Sequence, residues 1–322
     1  MNVIVTGANG QLGMCIRDCV KWSRSEGDKY FFYGHKELNI ADEDNINEVF
    51  AEVKPDVVIN CAGYTNVDGA EDPKNYVKAA EANADGPRYL AEHCDLYDAT
   101  LIHISTDYVY NGLSKKPYKE PETREDIKYT NPLSYYGITK MHGDYAVASY
   151  ANGIVIRTSW LYSEYGKNLY RTFLDRVKRR EDIKALSNRL SCPTYARNLA
   201  SFIVNTIIEG GWIGKEESYG VFNYCNEGVA SIYDFALAIE TLYESYYKNY
   251  EPLYSDKSWT VEFDMAPKYL VQPIKKYKAK AERPDYSVLD CTKVKETFGV
   301  KINGWIASLI QCMQNDGAIK IR

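Results

Sequence analysis

No uninterrupted apolar run in the 322-residue sequence approaches the ~20 residues needed to cross a bilayer, so a helical membrane span is not expected. The first candidate strand starts at Asn2, which leaves no room for a basic segment, an apolar segment and a cleavage site; a soluble, cytoplasmic chain is the expectation. Histidine is scarce: His35, His93, His103 and His142 form no metal-ligand spacing with cysteines or carboxylates, and no metal site is expected. The eight cysteines include no Cys-x-x-Cys and fall within apparent helices and strands, so they read as reduced thiols rather than as a disulfide framework. There is no basic excess, with 39 Lys and Arg against 44 Asp and Glu and a net charge of −5. Basic clusters are confined to Lys178-Arg179-Arg180 and Lys275 to Lys280, which argues against nucleic acid while leaving room for a locally basic cleft and an anionic substrate. A Gly-x-Ser-x-Gly nucleophile turn, an internal repeat and a low-complexity linker are also missing.

Short β-branched and aromatic runs alternate with helical patterns through the first half. Strands are expected at Asn2 to Thr6, Tyr30 to Gly34, Asp56 to Ala62, Thr100 to Ser105 and Gly153 to Ser159, with helices at about 11–24, 42–53, 74–97 and 134–151. Near-continuous apolar strands separated by helices predict a parallel sheet covered on both faces, a doubly wound α/β fold. Beyond Ser159 the rhythm changes to a helix at about 168–180, an irregular Ser187 to Thr194, a helix to about 209, a strand at Tyr219 to Cys225, and helices near 231–247 and 303–315. This predicts a dinucleotide-binding half over residues 1–160, with returns at about 193–226, and a smaller α/β substrate half over 161–322. The Lys-, Tyr- and Pro-rich stretch from Tyr246 to Arg283 has no clear place in that scheme.

Gly7-Ala8-Asn9-Gly10-Gln11-Leu12-Gly13 follows the first strand directly and opens an amphipathic helix. Gly7 suits the sharp turn, Gly10 the close approach of backbone to a pyrophosphate, and Gly13 the packing of helix on strand. An anion would then sit at a helix N-terminus, where free N–H groups and the dipole favour it. After the second strand the chain reads Gly34-His35-Lys36-Glu37. Lys36 or His35 suits the 2′-phosphate of NADPH, the favoured cofactor, whereas Glu37 could hold the ribose hydroxyl of NADH.

Tyr136 and Lys140 lie four residues apart on a helix that Ser134 would cap, one turn apart on one face. A neighbouring ammonium stabilises phenolate and brings a tyrosine of ordinary pKa ~10 toward useful acidity at neutral pH. Ile138, Met141, Tyr145 and Ala148 form a separate apolar stripe, so the pair need not belong to that buried seam. The fourth strand ends Ser105-Thr106-Asp107-Tyr108-Val109-Tyr110, and ligands of open α/β sheets meet the carboxyl ends of strands. Thr106 is the candidate hydroxyl to hydrogen-bond an oxygen that becomes alkoxide-like. A dinucleotide site and a proton donor in one chain predict hydride transfer.

Together these residues resemble the extended short-chain dehydrogenase/reductase superfamily and, within it, the dTDP-4-dehydrorhamnose reductases. The narrower resemblance rests on Val3 to Gly13, on Val58-Ile59-Asn60-Cys61-Ala62-Gly63-Tyr64-Thr65-Asn66-Val67-Asp68 with Ala70-Glu71, on Ser105 to Tyr110, and on Tyr136-Gly137-Ile138-Thr139-Lys140. It continues through Arg157-Thr158-Ser159-Trp160-Leu161-Tyr162, Cys192-Pro193-Thr194 and Arg283-Pro284-x-x-Ser287-x-Leu289-Asp290, almost end to end. The resemblance implies a Rossmann domain followed by a nucleotide-sugar domain, with Thr106, Tyr136 and Lys140 as the catalytic set. It implies that Gly7, Asn9, Gly10, Gln11, Leu12, Gly13, Lys36, Asn39 and Ile40, then Ala62, Gly63 and Tyr64, together with Tyr136 and Lys140, serve the cofactor. It places Val67, Thr106, Asp107, Tyr108, Trp160 and Arg283 on the sugar nucleotide, a role for which the guanidinium of Arg283 is suited.

The resemblance implies reduction of the C4 ketone of dTDP-4-dehydro-β-L-rhamnose to dTDP-L-rhamnose by a monomer or homodimer. Other readings are a reductase or epimerase for another nucleotide-linked 4-ketohexose, and a regulatory subunit resembling the methionine adenosyltransferase β subunit. A dehydratase would need an acid where Tyr108 stands. Three departures from the family pattern stand out. Asn39 replaces a usual Asp; Asn188-Arg189-Leu190-Ser191 replaces Asp-Gln before Gly-x-Pro-Thr; and Met14-Cys15 occupies the place of a glutamate that bridges some members through a metal. A metal-bridged dimer is therefore not expected.

Overall fold

The computed structural model describes residues 1–22, 27–248 and 270–320. In the first half, β1 (Asn2–Thr6), β2 (Lys29–Phe32), β3 (Val57–Asn60), β4 (Thr100–Thr106) and β5 (Gly153–Thr158) all pair in parallel. Between them run α1 (Gln11–Val20), α2 (Glu43–Val53), α3 (Val67–Ala70), α4 (Tyr76–Ala80), α5 (Gly86–Tyr97) and α6 (Tyr135–Ala148). The second half contributes β6 (Leu161–Tyr162), α7 (Leu169–Lys178), β7 (Ile183–Leu186), β8 (Leu190–Ser191), β9 (Thr194–Tyr195) and α8 (Ala196–Ser201). Then β10 (Gly220–Asn223) returns to pair with β5 and completes a six-stranded sheet of order β10-β5-β4-β3-β1-β2. Last come β11 (Ala230–Ser231), α9 (Ile232–Lys248), β12 (Val271–Ile274), α10 (Thr292–Phe298) and α11 (Trp305–Asn315). This is the doubly wound α/β fold that the alternating pattern predicts, with its strand order reversing between β1 and β3.

The strands are apolar on both sides because both sides are covered. Val3, Val5, Ile59, Ile102 and Ile156 pack with Leu12, Cys15 and Ile16 of α1 and with α8. Ile4, Val58, Leu101 and Val155 pack on the opposite face with Ile46 and Phe50 of α2, Leu90 of α5 and Val147 of α6. A third cluster, built from Tyr162, Tyr170, Phe173, Phe235, Ile239 and Leu309, forms the core of the second half.

Several elements differ from expectation. The single helix expected at 74–97 is broken: Asp72 caps a 3₁₀ turn (Pro73–Asn75), α4 follows, and a π-helical turn (Glu81–Asp85) intervenes before α5. The helix expected to about 209 likewise runs from α8 into a π-helical Phe202–Ile208. α1 ends at Val20, and residues 23–24 of the expected helix lie outside the described residues. The irregular stretch from Ser187 holds β8 and β9, two-residue pairings with β11 and β6 that are too short to carry a periodicity. Within the unplaced stretch, β12 pairs in parallel with β7, and residues 249–269 lie outside the described residues.

The α6 stripe is corrected. Ile138 is exposed, whereas Tyr136, Gly137, Thr139, Lys140, Gly143, Asp144 and Val147 are the buried residues. The cause is close packing on two sides: a Cβ on Gly137 would lie 2.3 Å from the Tyr108 carbonyl oxygen, and one on Gly143 would lie 2.2 Å from that of Asn83. Those two glycines let α6 sink between the end of β4 and the π turn, taking its polar face with it.

Candidate active site

One cleft of ≈ 840 Å³ runs over the carboxyl ends of β1 to β5. Its near end is the turn after β1. Gly7 has φ +58°, in the left-handed region, and a Cβ there would meet the Ala62 nitrogen at 2.6 Å. A Cβ on Gly13 would lie 2.6 Å from the Ala8 Cα, so the third glycine is the helix-packing one. Gly10 caps α1 without a side-chain hydrogen bond, leaving that helix start open toward the cleft. A glycine cradle at an uncapped helix N-terminus fits a pyrophosphate, and the residues present therefore fit a dinucleotide. Asn9, Gln11 and Leu12 also line the cleft. Gln11 spans both halves, donating from Nε2 to the Leu161 carbonyl (3.1 Å) and accepting from Ser163 Oγ (3.3 Å).

Beyond β2 the wall is made by Gly34, His35, Asn39 and Ile40. A Cβ on Gly34 would lie 2.2 Å from Asn9 Nδ2, so the Asn9 side chain as placed uses the space that this glycine leaves open. Lys36 is exposed and does not line the cleft, whereas His35 does. Asn39 is held by its neighbours: its backbone N–H donates to Asn45 Oδ1, and its own Oδ1 accepts from the Ala41 N–H.

Thr106, Tyr136 and Lys140 converge on the far floor of the same cleft. Ser134 caps α6 by accepting from the Gly137 N–H at 3.1 Å, a hydrogen bond worth about 1 kcal/mol that fixes where the helix begins. Tyr136 rests edge-on against Tyr108, with ring centroids 6.1 Å apart. Burial drives its phenol above the ordinary tyrosine value, and the Thr106 hydroxyl draws it partly back. Lys140 lies one turn further along α6. Its Nζ donates to the Ile104 carbonyl at 2.7 Å and lies 3.1 Å from His103 Nε2, both on β4. Burial pushes this ammonium down to about 8, against a pull upward from Asp144 and Cys61. Tyr135 turns away and its ring lies tilted against Tyr76, with centroids 4.3 Å apart.

Asp107 lies fully inside. Its Oδ2 accepts from Ser159 (3.2 Å), Ser191 (3.1 Å) and Ser287 (2.5 Å), and its Oδ1 from Thr106 (3.2 Å). Burial raises its pKa to about 6 despite the four hydroxyls, which act in the opposite sense. The folded state therefore binds this proton more tightly than the unfolded chain. The contribution is fully present below 3.8, the ordinary value, and is lost as pH rises through about 6. Denaturant titrations of wild type and Asp107→Asn should show a stability difference that changes across that window and is flat above it.

Val67, Tyr108 and Trp160 also line the cleft. Trp160 has φ +40°, rare for a bulky residue, in the segment that leaves β5 beside the catalytic floor. Burial pushes the Tyr108 phenol up to about 12, opposed by the charges of Arg283 and Arg189. Arg283 makes a two-pronged ion pair with Asp68 of α3, at 3.0 and 2.9 Å. Asp68 also accepts from the Lys280 and Ala281 N–H groups, which ties this strand of chain to the rim. The paired guanidinium holds the Asp68 carboxyl down at about 2.

Sequence reasoning missed four participants. Asn83, on the π turn, accepts from the Tyr64 N–H (2.8 Å) and donates to the Tyr64 carbonyl (3.0 Å) and to Thr139 (3.1 Å), so it locks the Gly63-Tyr64 loop to α6. The wide π turn delivers its side chain there, a common device at functional sites. Ser191, Ser287 and His103 stand in stretches quoted from the sequence but were given no role there, because their partners lie far away in the chain. Among the described residues no cluster of three or more metal-ligating side chains occurs, and no helix is long and apolar enough to cross a membrane.

A doubly wound sheet with a glycine turn at one end of the cleft and a Thr, Tyr and Lys at the other defines the extended short-chain dehydrogenase/reductase class. Residues 1–317 match the RmlD substrate binding domain. A dTDP-4-dehydrorhamnose reductase of Aggregatibacter actinomycetemcomitans is 31% identical over 95% of this chain and 96% of that protein. Among solved structures, the dTDP-4-dehydrorhamnose reductase of Bacillus anthracis in complex with NADP is 29% identical, with a TM-score of 0.80 over 98% of this chain and 99% of that one. An orthologue from Clostridium acetobutylicum gives 30% identity, a TM-score of 0.80 and the same coverage. The chain belongs to the RmlD family, that of the dTDP-4-dehydrorhamnose reductases.

Proposed function

We propose that this protein reduces the C4 ketone of dTDP-4-dehydro-β-L-rhamnose to dTDP-L-rhamnose with NADPH, and with NADH as the lesser partner. The observation that carries the reading is one continuous cleft that begins at the glycine turn and ends at the Thr106 and Tyr136 hydroxyls. Reduced nicotinamide, when bound, supplies the hydride. Tyr136 donates its phenolic proton to the carbonyl oxygen, and Thr106 orients that oxygen. Lys140, as an ammonium, offsets the charge left on the phenolate. Because the three side chains are largely buried, each of these interactions is stronger than it would be in bulk water.

Gly7, Asn9, Gly10, Gln11, Leu12 and Gly13 would hold the pyrophosphate and its riboses, Asn39 and Ile40 the adenine, and Ala62, Gly63 and Tyr64 the middle of the dinucleotide. His35, which lines the cleft, with Lys36 beside it, would favour a 2′-phosphate. Val67, Asp107, Tyr108, Trp160 and Arg283 would face the sugar nucleotide. Residues 1–160, with the return at about 193–226, form the dinucleotide half in this reading, and 161–322 mainly the sugar half. The protein works in the cytoplasm as a monomer or homodimer.

Incubation with the ketosugar nucleotide and each nicotinamide, followed by mass spectrometry and NMR of the product, tests class, substrate and stereochemistry together. A fall in absorbance at ~340 nm with a 6-deoxy-L-mannose product is expected, faster with NADPH. Turnover on a different 4-ketosugar alone would reassign the substrate. Tightly retained NAD with inversion at C4 would make the protein an epimerase.

A further inference from the structure

His103 and Asn60 are completely buried; Lys140 Nζ reaches the His103 ring, and the ring in turn reaches the Asn60 amide. His103 Nε2 lies 3.1 Å from Lys140 Nζ, and on the other side of the ring Nδ1 lies 3.0 Å from Asn60 Nδ2. The orientation of the Asn60 amide is set by two donors. Thr6 Oγ1 (2.7 Å) and the Ala62 N–H (3.1 Å) both point at Oδ1, which leaves the NH₂ group facing the ring. A neutral imidazole has one N–H and one lone pair. With Asn60 donating to Nδ1, the ring hydrogen is on Nε2 and faces Lys140. An ammonium at that spot would set hydrogen against hydrogen.

We propose that His103 is a positioning residue whose tautomer is tied to the charge of Lys140, with the Asn60 amide as the latch. In one state His103 is protonated at Nε2 and donates to a neutral Lys140 amine, while Asn60 donates to Nδ1. In the other, Lys140 is an ammonium donating to Nε2, the ring hydrogen is on Nδ1, and the Asn60 amide is turned over to accept it. The second state holds one proton more than the first: the Nε2 hydrogen passes to the Lys140 amine and the added proton comes to rest on Nδ1, so the ring is neutral in both states. Turning Asn60 over brings its NH₂ against the Ala62 N–H, so the latch favours the amine, in line with the burial that lowers Lys140. Burial and the Lys140 charge hold His103 well below its ordinary value, which keeps the ring from becoming an imidazolium. The other ionisable groups acting on Lys140 are Asp144 of its own helix and Cys61 after β3, and Tyr136 lines the same cleft; Asp144 is engaged by Arg157 of β5 at 2.8 Å. The inference deepens the reductase reading and rests on it only for the use made of Lys140.

The test is a pH titration of the full-length protein carrying ¹⁵N-labelled histidine, without substrate or cofactor, followed by NMR. The chain has four histidines, so the spectrum is sparse. The His103 signals are assigned by their absence from His103→Gln, or by proximity to Asn60 in the wild type. We expect a ring that is neutral at every pH, with its hydrogen on Nδ1 at low pH and on Nε2 at high pH. The midpoint should be that of Lys140, and Lys140→Met should fix the ring as Nε2–H throughout. A single tautomer across the range in the wild type, or an ordinary imidazolium titration, overturns the proposal. In turnover assays His103→Gln should move the pH midpoint of kcat while leaving KM for the nicotinamide unchanged; an unmoved midpoint also counts against it. Should no ketosugar be reduced, the reductase reading fails while the tautomer titration still decides this one.

Discussion

Tyr136→Phe should lower kcat on the ketosugar nucleotide by about 10²- to 10⁴-fold, the span expected for loss of a general acid. The substitution removes one oxygen and keeps the ring, so the edge-on packing with Tyr108 and the burial of this position remain. Substrate KM and the thermal midpoint should therefore change little, and the whole loss should sit in the chemical step. Steady-state kinetics beside a melting curve separates the two quantities. Equal turnover in wild type and variant would take the phenol out of the mechanism and leave proton delivery to another group. Thr106→Val, which keeps shape and removes the second hydroxyl, provides the matching control on orientation.

Asp144→Ala should cost about 3–5 kcal/mol of folding stability, the range for breaking a buried ion pair from one side. Arg157 and Asp144 have no exposed side-chain surface, and Arg157 Nε donates to Asp144 Oδ2 at 2.8 Å. The guanidinium also donates from Nη1 to the Tyr110 hydroxyl at 2.8 Å, but Nη2 has no hydrogen-bond partner. Removing the carboxylate leaves a permanently charged group in a dry interior with one neutral acceptor, and that desolvation is what the variant suffers. Urea denaturation measures it. Replacing both partners with apolar residues of similar size, Asp144→Leu with Arg157→Met, should recover most of the loss, because the pair offsets its own burial more than it adds. A single variant as stable as wild type would mean that water reaches the cation.

What could be read from the sequence was whatever local geometry dictates. Gly7 and Gly13 announce themselves because only glycine fits a positive φ or a neighbouring backbone that would stand 2.6 Å from any side-chain carbon, and both constraints arise within a few residues of the turn. Ser134 and the four-residue step from Tyr136 to Lys140 belong to a single helix start, so cap and pair were legible together. The buried face of α6 was not, because periodicity reports where apolar residues lie and cannot see that Gly137 and Gly143 bring backbone close enough to cover polar neighbours instead. Nor was the true company of Lys140: His103 comes from another element, and its alternation within β4 looks like any strand residue. Arg283 illustrates a third limit. A guanidinium suits a diphosphate and a carboxylate alike, and only the fold reveals that Asp68 is already in its grasp.

The three serines around Asp107 come from places widely separated in the chain, at 159, 191 and 287. During synthesis, a nascent chain that has emerged as far as Ser191 can offer two of those hydroxyls, and the third arrives only after most of the second half has followed. The carboxylate at the end of β4 thus has its full set of hydroxyl donors only once both halves of the chain are in place.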